Sequence, residues 1–382
     1  MVRTGQARTR SDLQSLTGLS RSTLALRMNQ LLDVGYVREA GQIAGSAGRP
    51  AKIISFNESR QLVLGVDLGA AHVHLALIDA SGQILLEATS AQRIDAGPEE
   101  VLKFVTPRLA ELLERSGRSR AEVAGVGVGI PGPVRFTTQR PNKPPLMPGW
   151  HDFPVAERLS EALGLPAFVD NDANLMGLGE ARARYADSAS VLFVKVGTGI
   201  GAGLILHGQA ERGVGGRAGD IGHVRIMPAG QGRVCTCGAV GCLATEASGG
   251  AIARQLTEAG IPTSTPDEVA LLVSSGNSTA IELVNRAGRL LGEVLATSVA
   301  LLNPAALVIG GSLATSGGDQ LVEAVRETVL ARTVPLANRE LVIAKSILGS
   351  DAAVQGARHL VIDETFSAAA IDARFQARVD SE

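Results

Sequence analysis

The sequence predicts a two-lobed α/β body behind a small basic helix–turn–helix head. Three observations point there. Strand–turn–strand units beginning near residues 62 and 191 are each followed by helical stretches, the pattern of a duplicated α/β lobe with a cleft between the copies. Residues 1–60 hold nine Lys/Arg against four Asp/Glu, whereas the whole chain of 382 residues carries a net charge of -2. Hydrophobic residues make up 45% and charged residues 19%, a balance that supports buried cores and excludes a disordered chain. The expected division is a head over 1–57, a first lobe over 58–180, a second lobe over 181–366 and a frayed tail over 367–382.

In the head, Thr9 and Asp12 have the spacing of a capping box, and Gly18 supplies a left-handed stop. Ser20 caps a second helix that sets Leu24, Met28, Leu31 and Leu32 on one face and ends at Gly35. Its other face carries Ser22, Thr23, Leu26, Asn29 and Gln30, with Arg21 and Arg27 beside them. Small polar groups and arginines on such a helix suit base edges and phosphates in a major groove. "GQIAGSAGRPAKIISFN" reads as strand, glycine-rich tip and strand, a wing with Arg49 and Lys52 near the tip. Arg21, Ser22, Thr23, Arg27, Asn29, Arg49 and Lys52 are the DNA candidates. The bland alternative is a helical unit that docks on the body or on another protein.

In the body, strands are expected near 62–68, 72–79, 83–89 and 123–129, with a helix near 97–116. "GVGVGIPG" runs into Pro131 rather than a helix, so it is not a dinucleotide fingerprint. "GTGIGAG", Gly197 to Gly203, precedes an apolar strand. It is either a hairpin whose backbone N–H groups face phosphates or a tight turn that needs glycine for its backbone angles. The apolar run 294–314 is broken by Asn303-Pro304 and reads as a buried helix followed by a strand, not a membrane span. With no apolar leader at the N-terminus, the expectation is a soluble cytoplasmic protein, associated with the nucleoid when bound to DNA.

The three cysteines fall within eight residues, which argues for a metal in a reducing compartment rather than a disulfide framework. His223, Cys235, Cys237 and Cys242 offer one imidazole and three thiolates, a closed set that suits structural zinc. Gly238 and Gly241 let the chain turn around the ion. Three buried free thiols are the alternative.

Together "GLSRSTL", "AGRPA", "GIPGPV", "NDAN", "GTGIGAG", "GDIGH" and "CTCGAVGCL" resemble the ROK proteins (repressors, open reading frames and sugar kinases), specifically regulators with an N-terminal winged helix. The resemblance spans residues 9 to about 362. It implies an actin-like ATPase fold for the body. It also implies that Asp172 of "NDAN" is the general base toward a sugar hydroxyl, with Asn171 a sugar contact. A helix N-cap is the plain alternative for this pair. Asp220 and His223 are the further sugar candidates, His223 also ligating zinc. The phosphate-loop positions are Asp67, Gly69, Gly197, Thr198, Gly199 and Gly201.

Departures from the family pattern bear on catalysis. The first phosphate loop has Ala70 and Ala71 where Gly-Thr is usual, which adds a methyl where backbone meets phosphate and removes a hydroxyl donor. Asp220, Ala244 and Leu146 replace a glutamate, a glutamate and an asparagine, and Glu246 is a nearby substitute for the second of these. The expected function is therefore a sugar-responsive regulator, in the first instance a repressor, that has lost phosphoryl transfer. It would bind a palindromic operator as a homodimer or tetramer. The alternative is an ATP- and Mg-dependent sugar kinase with a regulatory head. A third reading is a regulator that answers to a protein partner.

Overall fold

The computed structural model describes residues 1–3, 5–43, 50–57, 61–315 and 319–379. The head comprises α1 (Arg10–Thr17), α2 (Arg21–Asp33), β1 (Val37–Ile43) and β2 (Ala51–Phe56). Thr9 and Asp12 close a reciprocal capping box on α1, and Gly18 ends it at φ 67°. The Ser20 hydroxyl accepts from Thr23 N and caps α2. Leu24 and Met28 are buried, with Leu31 and Leu32 packed against them. β1 and β2 pair antiparallel as the two sides of a wing; its tip, with Arg49, lies outside the described residues.

The first lobe contains β3 (Leu62–Leu68), β4 (Val73–Asp79), β5 (Ile84–Ser90), α3 (Pro98–Arg115), β6 (Val123–Ile130), the short pair β7 (Val134–Arg135) and β8 (Arg140–Pro141), α4 (Val155–Leu163) and β9 (Ala167–Asn171). From it α5 (Asp172–Arg184) leads to β10 (Ser190–Val196), β11 (Ile200–Leu206) and β12 (Gln209–Glu211). There follow α6 (Leu243–Ala247), α7 (Gly249–Glu258), α8 (Pro266–Ser274), α9 (Ser278–Leu302), β13 (Ala306–Gly310), α10 (Ser312–Thr315), α11 (Asp319–Arg332), α12 (Pro335–Asn338), β14 (Val342–Lys345), α13 (Ala352–Thr365) and α14 (Ala368–Val379). The two five-stranded sheets run β5-β4-β3-β6-β9 and β12-β11-β10-β13-β14. In each, an antiparallel meander leads into parallel crossovers, so the duplication is one of topology as well as of sequence pattern. Asn303 caps α9 in the left-handed conformation, at φ 43°. Among the described residues no helix is long and apolar enough to cross a membrane.

Helices α5 and α13 lie between the sheets, and glycine permits their contact. A Cβ on Gly356 would stand 1.8 Å from Leu175 O, and one on Gly179 2.5 Å from Ala352 O. The glycines of "GVGVGI" make room on the first sheet, Gly127 for α13 and Gly129 for α5. They alternate along β6, and a Cβ on Gly127 would meet Ala357 O at 2.6 Å. Glu180 of α5 is fully buried and accepts from Ser346 Oγ and, at 2.8 Å, from Leu348 N. The chain leaving β14 is thereby pinned to α5.

Residues 368–379 are not a frayed tail. They form α14, because Arg374 Nη1 donates to Tyr36 Oη at 3.0 Å and the guanidinium lies over the Phe366 ring. Phe366, at the end of α13, meets Tyr36 and Phe56 of the head edge-on, with centroids 5.1 and 5.0 Å away. Arg3 pairs with Asp363 of α13, and Asp363 accepts from Arg182 of α5 at 3.0 Å. His359 is held well below its ordinary range by burial and by the charges of Arg358, Arg182 and Arg3.

Gly356→Ala is expected to destabilise the chain by about 3 kcal/mol in urea unfolding, because the added methyl must force the packed helices apart. A His whose folded pKa is depressed stabilises fully above its unfolded pKa, about 6.5, and costs stability as pH falls below it. The melting temperature is therefore expected to drop on acidification through that value, and His359→Gln to flatten the drop.

Candidate functional site

The site gathers where β3, β10 and the start of α5 converge. Asn171 is the N-cap of α5; its Oδ1 accepts from Asn174 N at 3.1 Å. Its Nδ2 donates to Gly132 O at 3.1 Å and to Asp172 Oδ1 at 3.2 Å. Asp172 is the first helical residue and is buried. Its Oδ1 accepts from Ala173 N at 2.7 Å, and its Oδ2 is ion-paired to Lys195 Nζ of β10. Helix capping thus belongs to Asn171, which leaves the Asp172 carboxylate aimed across to the second sheet.

Lys195 is the principal residue that sequence reasoning missed. A lysine in the otherwise apolar strand "VLFVKV" was the available signal, because buried lysines are rare unless paired. Burial opposes its charge, but Asp172 and Asp67 raise its affinity for the proton above the ordinary value. Burial pushes the Asp172 carboxyl up, and the charge of Asp67 adds to this against the pull of Lys195. Burial also penalises Asp67. The hydrogen bond from His72 and the charges of Lys195, His72 and His74 outweigh it and hold the carboxyl below its ordinary range. Asp170 and Arg212 form a second unforeseen pair, at 2.8 Å. Asp170 also accepts from Asn174 Nδ2 at 3.0 Å, which braces the start of α5.

The two glycine turns differ. At the first, Gly69 N donates to His72 O at 2.8 Å. The His72 ring lies over Gly69, where a Cβ would come within 2.1 Å of it, and His72 Nε2 is 3.5 Å from Asp67 Oδ2. An imidazole thus covers the turn at which Ala70 and Ala71 already depart from a phosphate loop. At the second, β10 and β11 form a hairpin. Gly203 is required by α5, since a Cβ would stand 2.3 Å from Ala173 O, whereas Gly199 has nothing within 4 Å and Thr198 is exposed. The start of α7 packs behind the turn, with Gly249 N donating to Gly197 O at 2.8 Å.

His223, Cys235, Cys237 and Cys242 come together, with all four ligand atoms within 4.8 Å of one another. Cys235 N donates to Ala239 O at 2.7 Å, and Gly238 turns at φ 88°. The set fits zinc. Bonds of about 2.3 Å to a tetrahedral ion imply sulfur–sulfur edges of about 3.8 Å, and Cys237 and Cys242 Sγ are 3.7 Å apart. His223 Nδ1 lies 3.3 Å from Cys235 Sγ, while its Nε2 faces Asp220 Oδ1 at 3.8 Å. One imidazole edge therefore faces the metal ligands and the other faces a sugar candidate. Burial pushes the Cys242 thiol up to about 12, with the neighbouring sulfurs adding to it; a divalent ion would offset that cost.

The DNA candidates on α2 form an exposed set: Arg21, Ser22, Thr23, Arg27 and Asn29. Ser22 and Thr23 hydroxyls lie 2.9 and 2.8 Å from Ser20 Oγ. Lys52 is paired with Glu39 at 2.6 Å. Leu146 is 42% exposed, and Ala244 packs near Gly222.

Cys242→Ser is expected to remove one equivalent of bound zinc, measured by atomic emission. The melting temperature should fall with it, because metal affinity is folding free energy in such a site.

Residues 63–364 match the ROK family. A glucokinase of Halalkalibacterium halodurans is 31% identical, over 78% of this chain and 94% of its own length. A xylose repressor of Caldicellulosiruptor bescii is 28% identical over 63% of this chain, and the matched stretch is 59% of that repressor's length. Among solved structures, a ROK family transcriptional regulator, a homolog of the E. coli MLC protein, superposes with a TM-score of 0.79 at 24% identity, covering 94% of this chain and 93% of that one. That likeness extends the shared fold to the head as well as the body, and with most of its body matching the family the chain belongs to the ROK family.

Proposed function

We propose that this chain is a sugar-responsive transcriptional repressor whose kinase-like cleft binds its ligand without transferring phosphate. The observation that carries the reading is the Lys195–Asp172 ion pair. A general base must be free to accept a proton from the substrate hydroxyl. Here one Asp172 oxygen is held by an ammonium and the other by Ala173 N and Asn171 Nδ2. His72 over the first turn, with Ala70 and Ala71 in it, weakens the cradle for nucleotide phosphates in the same direction. The similarity to a xylose repressor supports the class of output.

The route from cleft to head runs along α5 and α13. Asp172 begins α5, Arg182 near its end pairs with Asp363 of α13, and Asp363 pairs with Arg3. Phe366 completes the contact with Tyr36 and Phe56. A ligand at Asn171, Asp172, Asp220 and His223 that favours one lobe arrangement would bias the position of the head. It does so only to the extent that it binds the two arrangements unequally. The head of one chain presents one recognition helix, so a palindromic operator read by a dimer belongs to this reading.

A kinase is the second reading, favoured by the open β10–β11 turn at Gly199 and by the similarity to a glucokinase. Coupled ADP release across hexoses, pentoses and amino sugars separates the two. The expected result is no turnover, and turnover abolished by Asp172→Ala would establish the kinase instead. Fluorescence anisotropy with the chain's own upstream DNA is expected to show specific binding that a sugar relieves. Arg27→Ala should weaken binding and, if it removes a phosphate contact, lower the salt slope by about 1.

A further inference from the structure

A second cluster of metal-ligating side chains lies apart from the cysteines, on the face of the first sheet that α13 covers. We propose that His74, Glu87 and Asp351 form a divalent-cation site, best suited to zinc, that ties the first sheet to the start of α13. The three offer one imidazole nitrogen and two carboxylates, with ligand atoms all within 4.8 Å of one another. His74 Nε2 and Glu87 Oε2 are 2.9 Å apart. His74 is buried on β4, and its side chain is only 6% exposed; Glu87 on β5 is about half exposed and gives the ion a way in. One imidazole and two carboxylates with room for water is a set that zinc accepts, and manganese less tightly.

Asp351 supplies the observation that separates this cluster from an ordinary surface ion pair. It stands at the N-cap of α13, where an aspartate usually accepts from the helix's own N–H groups. Its backbone is already helical, at the end of a 3-10 turn that runs into α13, so its side chain makes no cap bond, and its carboxylate lies within 4.8 Å of the His74 and Glu87 ligand atoms. Its Oδ1 also lies 3.3 Å from Ser350 Oγ, which leaves the carboxylate acceptor capacity for an ion. Asp67 is the cross-strand partner of His74, and its charge further favours a cation on this face.

The position gives the site its consequence. His74 and Glu87 belong to the first sheet, while Asp351 belongs to the connection leaving β14 of the second. That connection is held to α5 by Glu180. An ion here bridges the two lobes at the foot of the helix that runs to the head. It lacks thiolate ligands and its Glu87 side faces water, so it should exchange more readily than the cysteine-bound zinc.

The test is zinc titration of the metal-stripped full-length chain, followed by calorimetry and by metal analysis after gel filtration. Two equivalents are expected for the wild type. One is expected for His74→Ala and one for Glu87→Gln, the latter a half-exposed substitution that leaves the core untouched. Cobalt in the second site should add absorption without the thiolate charge-transfer band of the first. Hydrogen exchange over residues 346–354 should slow when the second equivalent binds. A wild type that takes up one equivalent only, or a second equivalent that survives either substitution, overturns the site. Unchanged exchange over that segment overturns the bridge.

Discussion

The close crossing of α5 and α13 is the constraint on which the rest of the molecule depends. Backbone meets backbone there, since Gly356 lies against Leu175 O and Gly179 against Ala352 O with no room for a methyl. Packed interiors transmit strain rather than absorb it, because there is no free volume into which a side chain can move. Each helix also makes contacts at its ends. α5 starts at Asn171–Asp172 in the cleft and carries Arg182 toward its other end; α13 starts beside Asp351 and ends at Phe366 against the head. A shift at the cleft that moves α5 must move α13 or break the glycine contact.

The electrostatics of the cleft follow from the same arrangement. Asp67 and Asp172 come from different strand ends and converge because β3 and β9 flank β6 in one sheet. Two carboxylates so placed repel, and β10 of the second sheet supplies Lys195 beside them. In a nucleotide-using enzyme that compensating charge comes with the substrate and its metal. In this chain the Lys195 side chain supplies one. The cleft therefore has an internal counter-charge before any ligand arrives.

The cysteine loop is built around a histidine from outside it. Its turn is set by local geometry, with Gly238 and Gly241 in left-handed conformations and Cys235 N bonded to Ala239 O. His223 joins that loop to Asp220, one ring nitrogen toward the sulfurs and the other toward the carboxylate. Orienting a ligating imidazole through a carboxylate on its far side is a common way to fix both groups. Here the Asp220 carboxylate stands on that far side at 3.8 Å, longer than a hydrogen bond.

What the sequence by itself determined is whatever depends on residues close together in the chain. The capping box of Thr9 and Asp12, the stop at Gly18, the Ser20 cap, the apolar face of α2 and the Cys-x-Cys turn were all legible, because short-range backbone geometry and side-chain reach decide them. The duplicated lobes were legible from the repeat of one strand pattern. Tertiary structure alone decided the pairing of Lys195 with Asp172, 23 residues away, and of Arg3 with Asp363, 360 residues away. It also decided that 368–379 is a docked helix, that Gly127 of β6 admits α13, and that His72 covers the first turn. A local pattern reports what a segment can form. Which distant charge or surface it meets is set by the route of the chain between them, and neither periodicity nor spacing records that route.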